Sequence, residues 1–351
     1  AAGPVGERLT LRVNGEVSHA APVVDRKDPR VSEIEGHHSQ AGGLSASFAL
    51  TPQQTLEAGW TGNNERRFYD TTSTTKGAYR STYDIDRTQA HVGWEGRFDQ
   101  WRGRVRAYRS EIDITNTASN GVAPTRPQNM TDDVLDGHAS FKLGSHQLTV
   151  GGEWRDETLR NAGLKNGRDS ATHKALFVQD ELALTQSLML TAGLRADNHQ
   201  LFGSELSPRA YLVWEASPAL VVKGGFGHAF KAPTLKQISP NYVGAEGPHT
   251  FAGNGNIKPE SSNSFEVGAD WQVAPAWSLR ATVFNTEVKD LITYRLLQQI
   301  GIRRIYQYDN VDAARIQGLE AGMTWDMTRQ LAWSNDLTLL LKQGRPMGMK
   351  Q

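Results

Sequence analysis

The sequence predicts an all-β chain that forms part of an antiparallel transmembrane β-barrel, and three observations support this fold class. Apolar and polar residues alternate along many long stretches, as they do in strands with one lipid-facing and one wet face. The connections between these stretches alternate between very short and mostly long, polar segments. Tryptophans recur near the predicted strand ends, as expected for the aromatic girdles of a membrane barrel.

The alternation is clear in "FEVGADWQV", where Phe265, Val267 and Trp271 share one predicted face and Glu266 and Asp270 share the other. Many such stretches are longer than about ten residues, which matches the 9–11 residues of a tilted membrane-spanning strand. A soluble β-sandwich or propeller would also alternate, but its strands average about five or six residues. The strand length therefore favours the membrane barrel, and a soluble β protein remains an alternative.

Two kinds of connection are expected, with tight turns at one end of the strands and long loops at the other. The short turns lie at 51–54, 99–101, 144–146, 185–187, 217–219, 274–276 and 328–330. The longer polar segments lie at 21–40, 71–86, 117–132, 161–171 and 239–262. The tryptophans near predicted strand ends are Trp60, Trp94, Trp154, Trp214, Trp271, Trp277 and Trp325.

Composition excludes several classes of function. The 351 residues carry 38 basic and 38 acidic side chains, so no net field points to nucleic acid. There is no cysteine, and therefore no disulfide and no thiolate metal site. No apolar run has the length of a transmembrane helix, and the first residues do not read as a signal peptide. No nucleophile, zinc or phosphate-loop motif is visible, so we predict no enzyme activity and no metal site.

An ordered set of phrases in the second half resembles the outer-membrane TonB-dependent receptors. It comprises "GLRADNHQLFGSELSPRAYLVW" (193–214), "GFGHAFKAPTLKQISPNY" (225–242), "GNGNIKPE" (253–260), "VFNTEVKDLI" (283–292) and "YDNVDAARIQGLEAGM" (308–323). Within that family the chain resembles the catecholate siderophore receptors of the ferric enterobactin type.

This resemblance implies uptake of a ferric catecholate siderophore across the outer membrane of a Gram-negative bacterium. The siderophore would be the transported ligand, and no covalently bound cofactor is expected. The TonB–ExbB–ExbD complex would act through a plug domain and a TonB box. Other expected partners are outer-membrane lipid and lipopolysaccharide, with bacteriocins or phage also possible users of this surface and no nucleic acid.

Residues 1–351 are expected to form one TonB-dependent receptor barrel domain that is incomplete at both ends. The family barrel has 22 strands, in the class of plugged transporters. We count about fifteen here, from a strand at 7–20 that resembles the third of the family to one at 331–343 that would be the seventeenth. The plug and the TonB box do not appear in the sequence, which we therefore interpret as a fragment or a truncated gene product.

The ligand-binding candidates are basic and aromatic residues high on the strands and in the loops. A ferric tris-catecholate is anionic and has aromatic faces, so Arg and Lys would attract it and Tyr would stack on it. The candidates are Arg66, Arg67, Tyr69, Tyr79, Arg80, Lys231, Tyr242, Arg303, Arg304 and Tyr306. "FKAP" itself is expected to mark a strand exit, and "GNGNIKPE" a structured loop that re-enters the barrel.

Three functional alternatives stay open besides the soluble β protein. His249 lies between "FKAP" and "GNGNI", where haem receptors of the family place a ligating histidine, so haem is one alternative cargo. Cobalamin is another, and a passive porin-like channel is the third. The adjacent pair His37 and His38 is a poor metal signal, because neighbouring residues on a strand point to opposite faces.

Overall fold

The computed structural model describes residues 1–246 and 249–344, and in them the chain is almost entirely β-strand. In chain order the elements are β1 (Ala2–Val5), β2 (Leu9–Ala20), β3 (Val23–Val24), β4 (Ser32–Ile34), β5 (Gly36–Thr51), β6 (Gln54–Ser73), β7 (Gly77–Arg97), β8 (Trp101–Ala118), β9 (Gln128–Leu143), β10 (His146–Asn161), β11 (Arg168–Ala183), β12 (Leu188–His199), β13 (Gly203–Ser217), β14 (Leu220–Lys231), α1 (Leu235–Ile238), β15 (Val243–Glu246), β16 (His249–Ala252), β17 (Glu260–Ala274), β18 (Trp277–Ile300), β19 (Arg303–Asp326) and β20 (Ala332–Gly344).

The long strands form one antiparallel meander. Fifteen of the described strands have 12 residues or more, in agreement with the count from the sequence. Each long strand pairs with the next one along the chain, and β14 pairs with β17 across the inserted segment that carries α1, β15 and β16. Within the described residues, no pairing joins β20 to β1 or β2. The sheet is therefore an open arc of a barrel.

One face of the arc is apolar and exposed. Leu44 pairs with Trp60, and Phe48 pairs with Leu56, so all four side chains lie on the same face. They are 52%, 49%, 41% and 41% exposed respectively, although each is a large apolar group. A continuous exposed apolar face of this size is the lipid-facing surface expected of a membrane barrel.

The opposite face is polar and carries ion pairs between neighbouring strands. Arg87 donates to Glu65 at 2.7 Å. Farther round the arc, Arg106 contacts Asp136 at 3.0 Å. This luminal face explains why charged residues alternate with apolar ones along strands that cross a membrane.

The tryptophans mark two levels of the apolar face. At the short-turn end Trp277 and Trp325 lie with ring centroids 5.0 Å apart. Trp94 and Trp101 lie 6.3 Å apart at the same end. Trp60 and Trp154 lie well inside β6 and β10, so the expectation that they mark strand ends is wrong for these two. Beyond these tryptophans, β6 stays paired with β7 as far as Ser73, and β10 stays paired with β11 as far as Arg160.

The predicted short turns are confirmed, but the predicted loop at 71–86 is mostly strand. β6 and β7 pair up to Ser73 and Gly77, which leaves only residues 74–76 as the turn. In the β7 part of this hairpin the alternation is reversed, because Tyr79, Tyr83 and Ile85 lie on the luminal face and Arg80 and Asp84 lie on the outer face. Among the described residues no helix has the length and apolar character needed to cross a bilayer.

A small hydrophobic core holds the inserted segment on the luminal side. Leu235 of α1 and Tyr242 pack with Leu159, Leu164 and Ala171 of the β10–β11 hairpin. All five are buried, with exposures of 8% or less. This packing fixes the position of α1 relative to the barrel wall and thereby shapes the site described next.

Candidate functional site

The "FKAP" and "KPE" phrases meet at one buried carboxylate. Lys231, the last residue of β14, donates to Glu260 Oε2 at 3.0 Å. Glu260 is 8% exposed, and its Oε1 accepts the backbone N–H of Ile292 at 2.9 Å. The carboxylate therefore ties β14, β17 and β18 together where the inserted segment leaves and rejoins the sheet.

The loop "GNGNIK" is held against β19 by asparagine side chains. Asn310 Oδ1 accepts the N–H of Lys258 at 2.8 Å, and its Nδ2 donates to the Lys258 carbonyl at 2.9 Å. The same Nδ2 donates to the carbonyl of Asp290 at 2.7 Å, a residue with a positive φ of 56°. Asn254 Nδ2 donates to the Tyr308 carbonyl at 3.0 Å. These bonds give the loop the ordered, returning path that the sequence predicts.

The inserted segment, the upper barrel wall and β18–β19 enclose a cavity of about 300 Å³, which we call the vestibule. Its walls come from strands far apart in sequence, because the barrel curves around the inserted segment. It is lined by Tyr83, Ile114, Thr125, Arg126, Gln128, Asn161, Lys236, Tyr242, Gly244, Ala245, Phe251, Tyr294 and Tyr308.

Aromatic rings cover one side of the vestibule. Tyr294 lies 5.3 Å from Tyr308 and 5.0 Å from Phe251, measured between ring centroids. Phe251 stacks on Tyr306 at 5.2 Å with an interplanar angle of 14°. Such a cluster offers flat apolar faces with hydroxyl groups at their edges, which suits a planar aromatic ligand.

Two cations enter the vestibule with different roles. Arg126 donates to the Val243 carbonyl at 2.9 Å and to that of Ala162 at 3.3 Å, so it also braces β15. Lys236 of α1 has no hydrogen-bond or ion-pair partner among the described residues. Partial burial lowers the pKa of the Lys236 ammonium, because desolvation penalises its charged form.

Two further polar groups share this environment. Gln128 Oε1 is buried and has no hydrogen-bond partner in the described structure. Burial raises the pKa of the Tyr242 hydroxyl, while the nearby Arg126 opposes that rise, so the phenol stays neutral at ordinary pH. A cation and an acceptor without partners are groups that a bound molecule can satisfy.

Three of the predicted ligand residues, Tyr242, Tyr306 and Arg304, lie in or beside the vestibule. Tyr242 lines it and Tyr306 stacks against its aromatic wall. Arg304 donates to the Tyr306 hydroxyl at 3.4 Å and so lies on the vestibule side of β19, whereas its neighbour Arg303 donates to Thr250 Oγ1 at 3.4 Å on the opposite face of that strand. Lys231 is instead engaged with Glu260.

The predicted residues of β6 and β7 divide between the two faces. Arg67 pairs with Glu65 at 2.7 Å on the luminal face. Tyr69 and Tyr79 lie on the same luminal face as Tyr83 of the vestibule. Arg66 and Arg80 lie on the outer face of the barrel. Arg66 pairs with Asp84 there, and Arg80 pairs with Asp70, each at 2.7 Å.

Among the cations and tyrosines that line the vestibule, only Tyr242 was predicted from the sequence, and Tyr83, Arg126, Lys236, Tyr294 and Tyr308 were not. Lys236 lies within "FKAPTLKQ", close to the strand exit predicted at "FKAP". That position could have identified it as a candidate from the sequence. The other four lie in β7, in the loop between β8 and β9, in β18 and in β19, and share no local pattern. Only the curvature of the sheet brings them together.

The histidines singled out in the sequence have aromatic neighbours. His249 lies edge-on to Tyr306 with centroids 6.1 Å apart, and its buried Nδ1 has no partner in the described structure. His38 stacks on Phe68 at 5.4 Å and on His19 at 6.2 Å. The described residues contain no group of three side chains that could hold a metal ion.

The family comparison is decisive for the barrel. The family described as TonB dependent receptor-like, beta-barrel matches residues 32–344. The ferric enterobactin receptor PirA of Pseudomonas aeruginosa is 26% identical over 406 residues, which cover 97% of this chain and 54% of that protein. The ferrienterobactin receptor of Escherichia coli is 24% identical over 417 residues, which cover 97% and 55%.

Solved structures agree with the sequence relatives. The siderophore receptor PirA from Pseudomonas aeruginosa superposes with a TM-score of 0.80 at 25% identity, over 98% of this chain and 62% of that one. The chain thus spans about half the length of the curated relatives it matches. The family is one of receptors and transporters, not of enzymes. On these matches and on its open arc of paired strands, the chain belongs to the TonB-dependent receptor β-barrel family.

Proposed function

We propose that this chain is the barrel part of a bacterial outer-membrane receptor that takes up a ferric catecholate siderophore. Energy would come from the TonB–ExbB–ExbD complex, acting through the plug and TonB box of the family. The names of the relatives support this cargo, since several are ferric enterobactin receptors. The whole protein would comprise more than the residues 1–351 that we assign to its barrel.

The observation that carries the proposal is the convergence of cations and aromatic rings in the vestibule. Arg126 and Lys236 face the same cavity as Tyr242, Tyr294 and Tyr308. A ferric tris-catecholate carries negative charge spread over aromatic oxygens. Cations therefore attract it, and tyrosine rings offer stacking surfaces and hydroxyl donors. A cavity of about 300 Å³ is at the small end for ligand pockets, so it would receive one aromatic arm of the complex.

The mechanism follows from the environment of each group. The exposed Arg304, beside Tyr306, would attract the anion from solution, and the exposed Arg303 on the other face of β19 would add to the positive field. Lys236 would then pair with the catecholate oxygens in a less hydrated setting, where a charge-assisted hydrogen bond is stronger. The aromatic wall of Tyr294 and Phe251 would hold the ring plane. Release into the periplasm would require the energised plug.

The test is a tryptophan-fluorescence titration of the full-length protein in detergent with ferric enterobactin, haem and cyanocobalamin in parallel. We expect saturable quenching by the catecholate, weakened in Lys236→Met. The matched control is Lys142→Met, an exposed lysine beside the short turn at Gly144. Unchanged affinity in Lys236→Met would remove the vestibule from the binding site.

The same titration decides among the alternative cargoes. The vitamin B12 transporter BtuB of Vibrio cholerae is 30% identical over 152 residues, which cover 41% of this chain, so cobalamin is a necessary comparison. Haem binding alone, lost in His249→Ala, would assign haem in place of the siderophore. Passage of small solutes without saturable binding would indicate a porin-like channel.

A further inference from the structure

The upper half of β18 has a free strand edge that the proposed function does not use. β17 pairs with β18 only as far as Ser261 and Lys289, whereas β18 continues to Ile300 with β19 on its other side. At a rise of about 3.3 Å per residue, this upper half extends about 35 Å along the strand beyond the β17 ladder. Among the described strands, β18 pairs only with β17 and β19, so one side of its upper half is open.

Alternate residues of this edge direct their backbone groups to the open side. The N–H of Ile292 points away from β19, because it donates to Glu260 at 2.9 Å. Tyr308, which lies opposite Tyr294, directs its carbonyl away from β18 and into an asparagine side chain of the loop. Hydrogen-bonded and non-hydrogen-bonded pairs alternate in an antiparallel ladder, so Tyr294 and Leu296 direct both N–H and C=O outward. Within the described residues, no strand or loop supplies a partner for them on that side.

Exposed apolar side chains flank the edge. Leu296, Leu297 and Ile300 are 48%, 49% and 56% exposed, and Ile302 in the turn is 80% exposed. Residues 291–302 include no lysine or proline, which commonly protect a strand edge. A register shift follows Leu296, so the regular part of the edge is limited to residues 292–296. The edge therefore suits the addition of one short extended segment.

The same part of the hairpin is basic. Residues 291–307 contain Arg295, Arg303 and Arg304 and no aspartate or glutamate. Arg295 pairs with Asp309 at 3.0 Å. Arg303 and Arg304 are exposed, and their hydrogen-bond partners among the described residues are uncharged hydroxyl groups. The hairpin tip therefore favours a segment that brings carboxylates.

We propose that residues 292–296 of β18 bind an extended acidic segment of a partner protein by addition of a strand to the open edge. Tyr294 and Leu296 supply the backbone hydrogen bonds, and the exposed leucines contact apolar side chains of the segment. Arg303 and Arg304 attract its carboxylates. The long connections of an outer-membrane barrel lie outside the cell, so the partner is an extracellular protein. The proposal rests on the outer-membrane location in the proposed function and does not depend on the cargo.

A second copy of this chain does not fit the edge. Two receptors in one membrane have their β18 strands in the same direction, so their edges would pair in parallel. The twofold axis of such a dimer would run along the strands and would place each residue opposite itself. In a parallel ladder, however, a residue that bonds toward the neighbouring strand lies opposite one that bonds away from it. The geometry therefore favours a different protein.

Hydrogen exchange of the full-length protein in detergent tests the open edge directly. The Tyr294 and Leu296 amides should exchange faster than those of Thr293 and Arg295, which by the same alternation bond to β19. The binding probe is a fluorescein-labelled heptapeptide of alternating valine and glutamate, followed by anisotropy. Bound peptide should slow exchange at Tyr294 and Leu296 and leave Thr293 and Arg295 unchanged. The matched control peptides are a backbone N-methylated form and a valine–lysine form of the same length.

Two variants test the contacts from the side of the receptor. Leu296→Pro removes the outward N–H and keeps the bonds to β19, since an edge strand tolerates proline at such a position. It should weaken peptide binding about tenfold, whereas Leu296→Ala, which keeps that N–H, should lose less. Arg303→Gln should weaken binding of the glutamate peptide about threefold. Its matched control is Arg329→Gln, an exposed arginine at the short-turn end. The N-methylated peptide gives the same information should Leu296→Pro disturb the hairpin.

No binding of the glutamate peptide, or equal binding of its N-methylated form, would overturn strand addition. Equal binding of the lysine peptide would overturn the choice of an acidic partner. A dimer in analytical ultracentrifugation that Leu296→Pro abolishes would assign the edge to a second copy. Failure of the proposed function is a separate result, since it would appear as absent siderophore binding in the wild-type protein and would leave the peptide result unchanged.

Discussion

Lys231 and Glu260 form an ion pair of 3.0 Å at the point where the inserted segment joins the sheet, and the two residues contribute unequally. The Lys231 side chain is 73% exposed, whereas that of Glu260 is 11% exposed. Glu260 also accepts the N–H of Ile292. The carboxylate is therefore the structural centre of this junction, and the lysine is a solvated partner.

Replacing Glu260 should destabilise the barrel more than replacing Lys231. Glu260→Ala would leave the Ile292 N–H without its acceptor, which costs about 1–3 kcal/mol for a buried group. Lys231→Met would remove only the solvated partner of the ion pair, which contributes about 0–1 kcal/mol. Denaturant unfolding of the full-length protein in detergent measures both. Glu260→Gln, which keeps an acceptor oxygen, is the control, and equal losses for the alanine and methionine variants would contradict this view.

Lys236→Met should weaken binding of ferric enterobactin about tenfold or more. The reason is that a hydrogen bond to a charged group contributes about 1.5–3 kcal/mol, and 1.4 kcal/mol corresponds to tenfold in affinity. Fluorescence titration gives the dissociation constants. Lys142→Met should bind as the wild-type protein does. A similar loss in both variants would mean that overall charge, and not the vestibule, sets the affinity.

Affinity for the siderophore should fall on the alkaline side, and Lys236 should account for the fall. Its pKa is lowered by desolvation, so the free folded protein loses this proton at a lower pH than an ordinary lysine. An anionic ligand binds the protonated form of Lys236. Above the lowered pKa, binding must therefore be accompanied by proton uptake at Lys236, and the affinity falls as the pH rises. Titrations from neutral pH upward should show the decline in the wild-type protein and not in Lys236→Met.

The same shift has a consequence for stability in the ligand-free protein. Between the lowered pKa and the ordinary value, the unfolded chain binds more protons at Lys236 than the folded one. Stability should therefore rise with pH in that window. Unfolding midpoints of the wild-type protein and Lys236→Met across that range provide the measurement. A parallel pH dependence of the two proteins would assign the effect to other groups.

Arg66→Gln and Arg80→Gln should each leave siderophore affinity within about twofold of the wild-type value. Both side chains lie on the outer face and are paired with carboxylates, Arg66 with Asp84 and Arg80 with Asp70. Exposed pairs of this kind contribute about 0–1 kcal/mol to stability and are screened by salt. The titration that tests Lys236 tests them too, and a tenfold loss would place ligand on the outer face.

Asn310→Ala should loosen the loop that begins at Asn254. Its side chain makes three hydrogen bonds, to the N–H and carbonyl of Lys258 and to the carbonyl of Asp290. Hydrogen exchange of the Lys258 amide should accelerate, because opening of that segment would need less free energy. Asn335→Ala, in the exposed part of β20, is the control. Unchanged exchange at Lys258 would show that backbone packing alone holds the loop.

Local pattern alone predicted most of the strand order. Alternation places Phe265, Val267 and Trp271 on one face because neighbouring residues of any strand point in opposite directions. The turn at Gly144 was readable because its positive φ favours glycine. The continuous strand through residues 77–86 was not predicted, because the alternation is reversed there: Tyr79, Tyr83 and Ile85 lie on the luminal face.

By itself the sequence determined the all-β class, the tight turns and the ordered family phrases, because each depends on residues that are near neighbours along the chain. The tertiary structure alone decided which basic residues share the vestibule. Arg126 and Lys236 are far apart in sequence and meet only because the sheet curves around the inserted segment. It also placed Arg66 and Arg67, adjacent in sequence, on opposite faces. The two-residue period of a strand already puts these two neighbours on opposite faces. Only the curvature of the sheet decides which of the two faces is luminal and can meet a ligand.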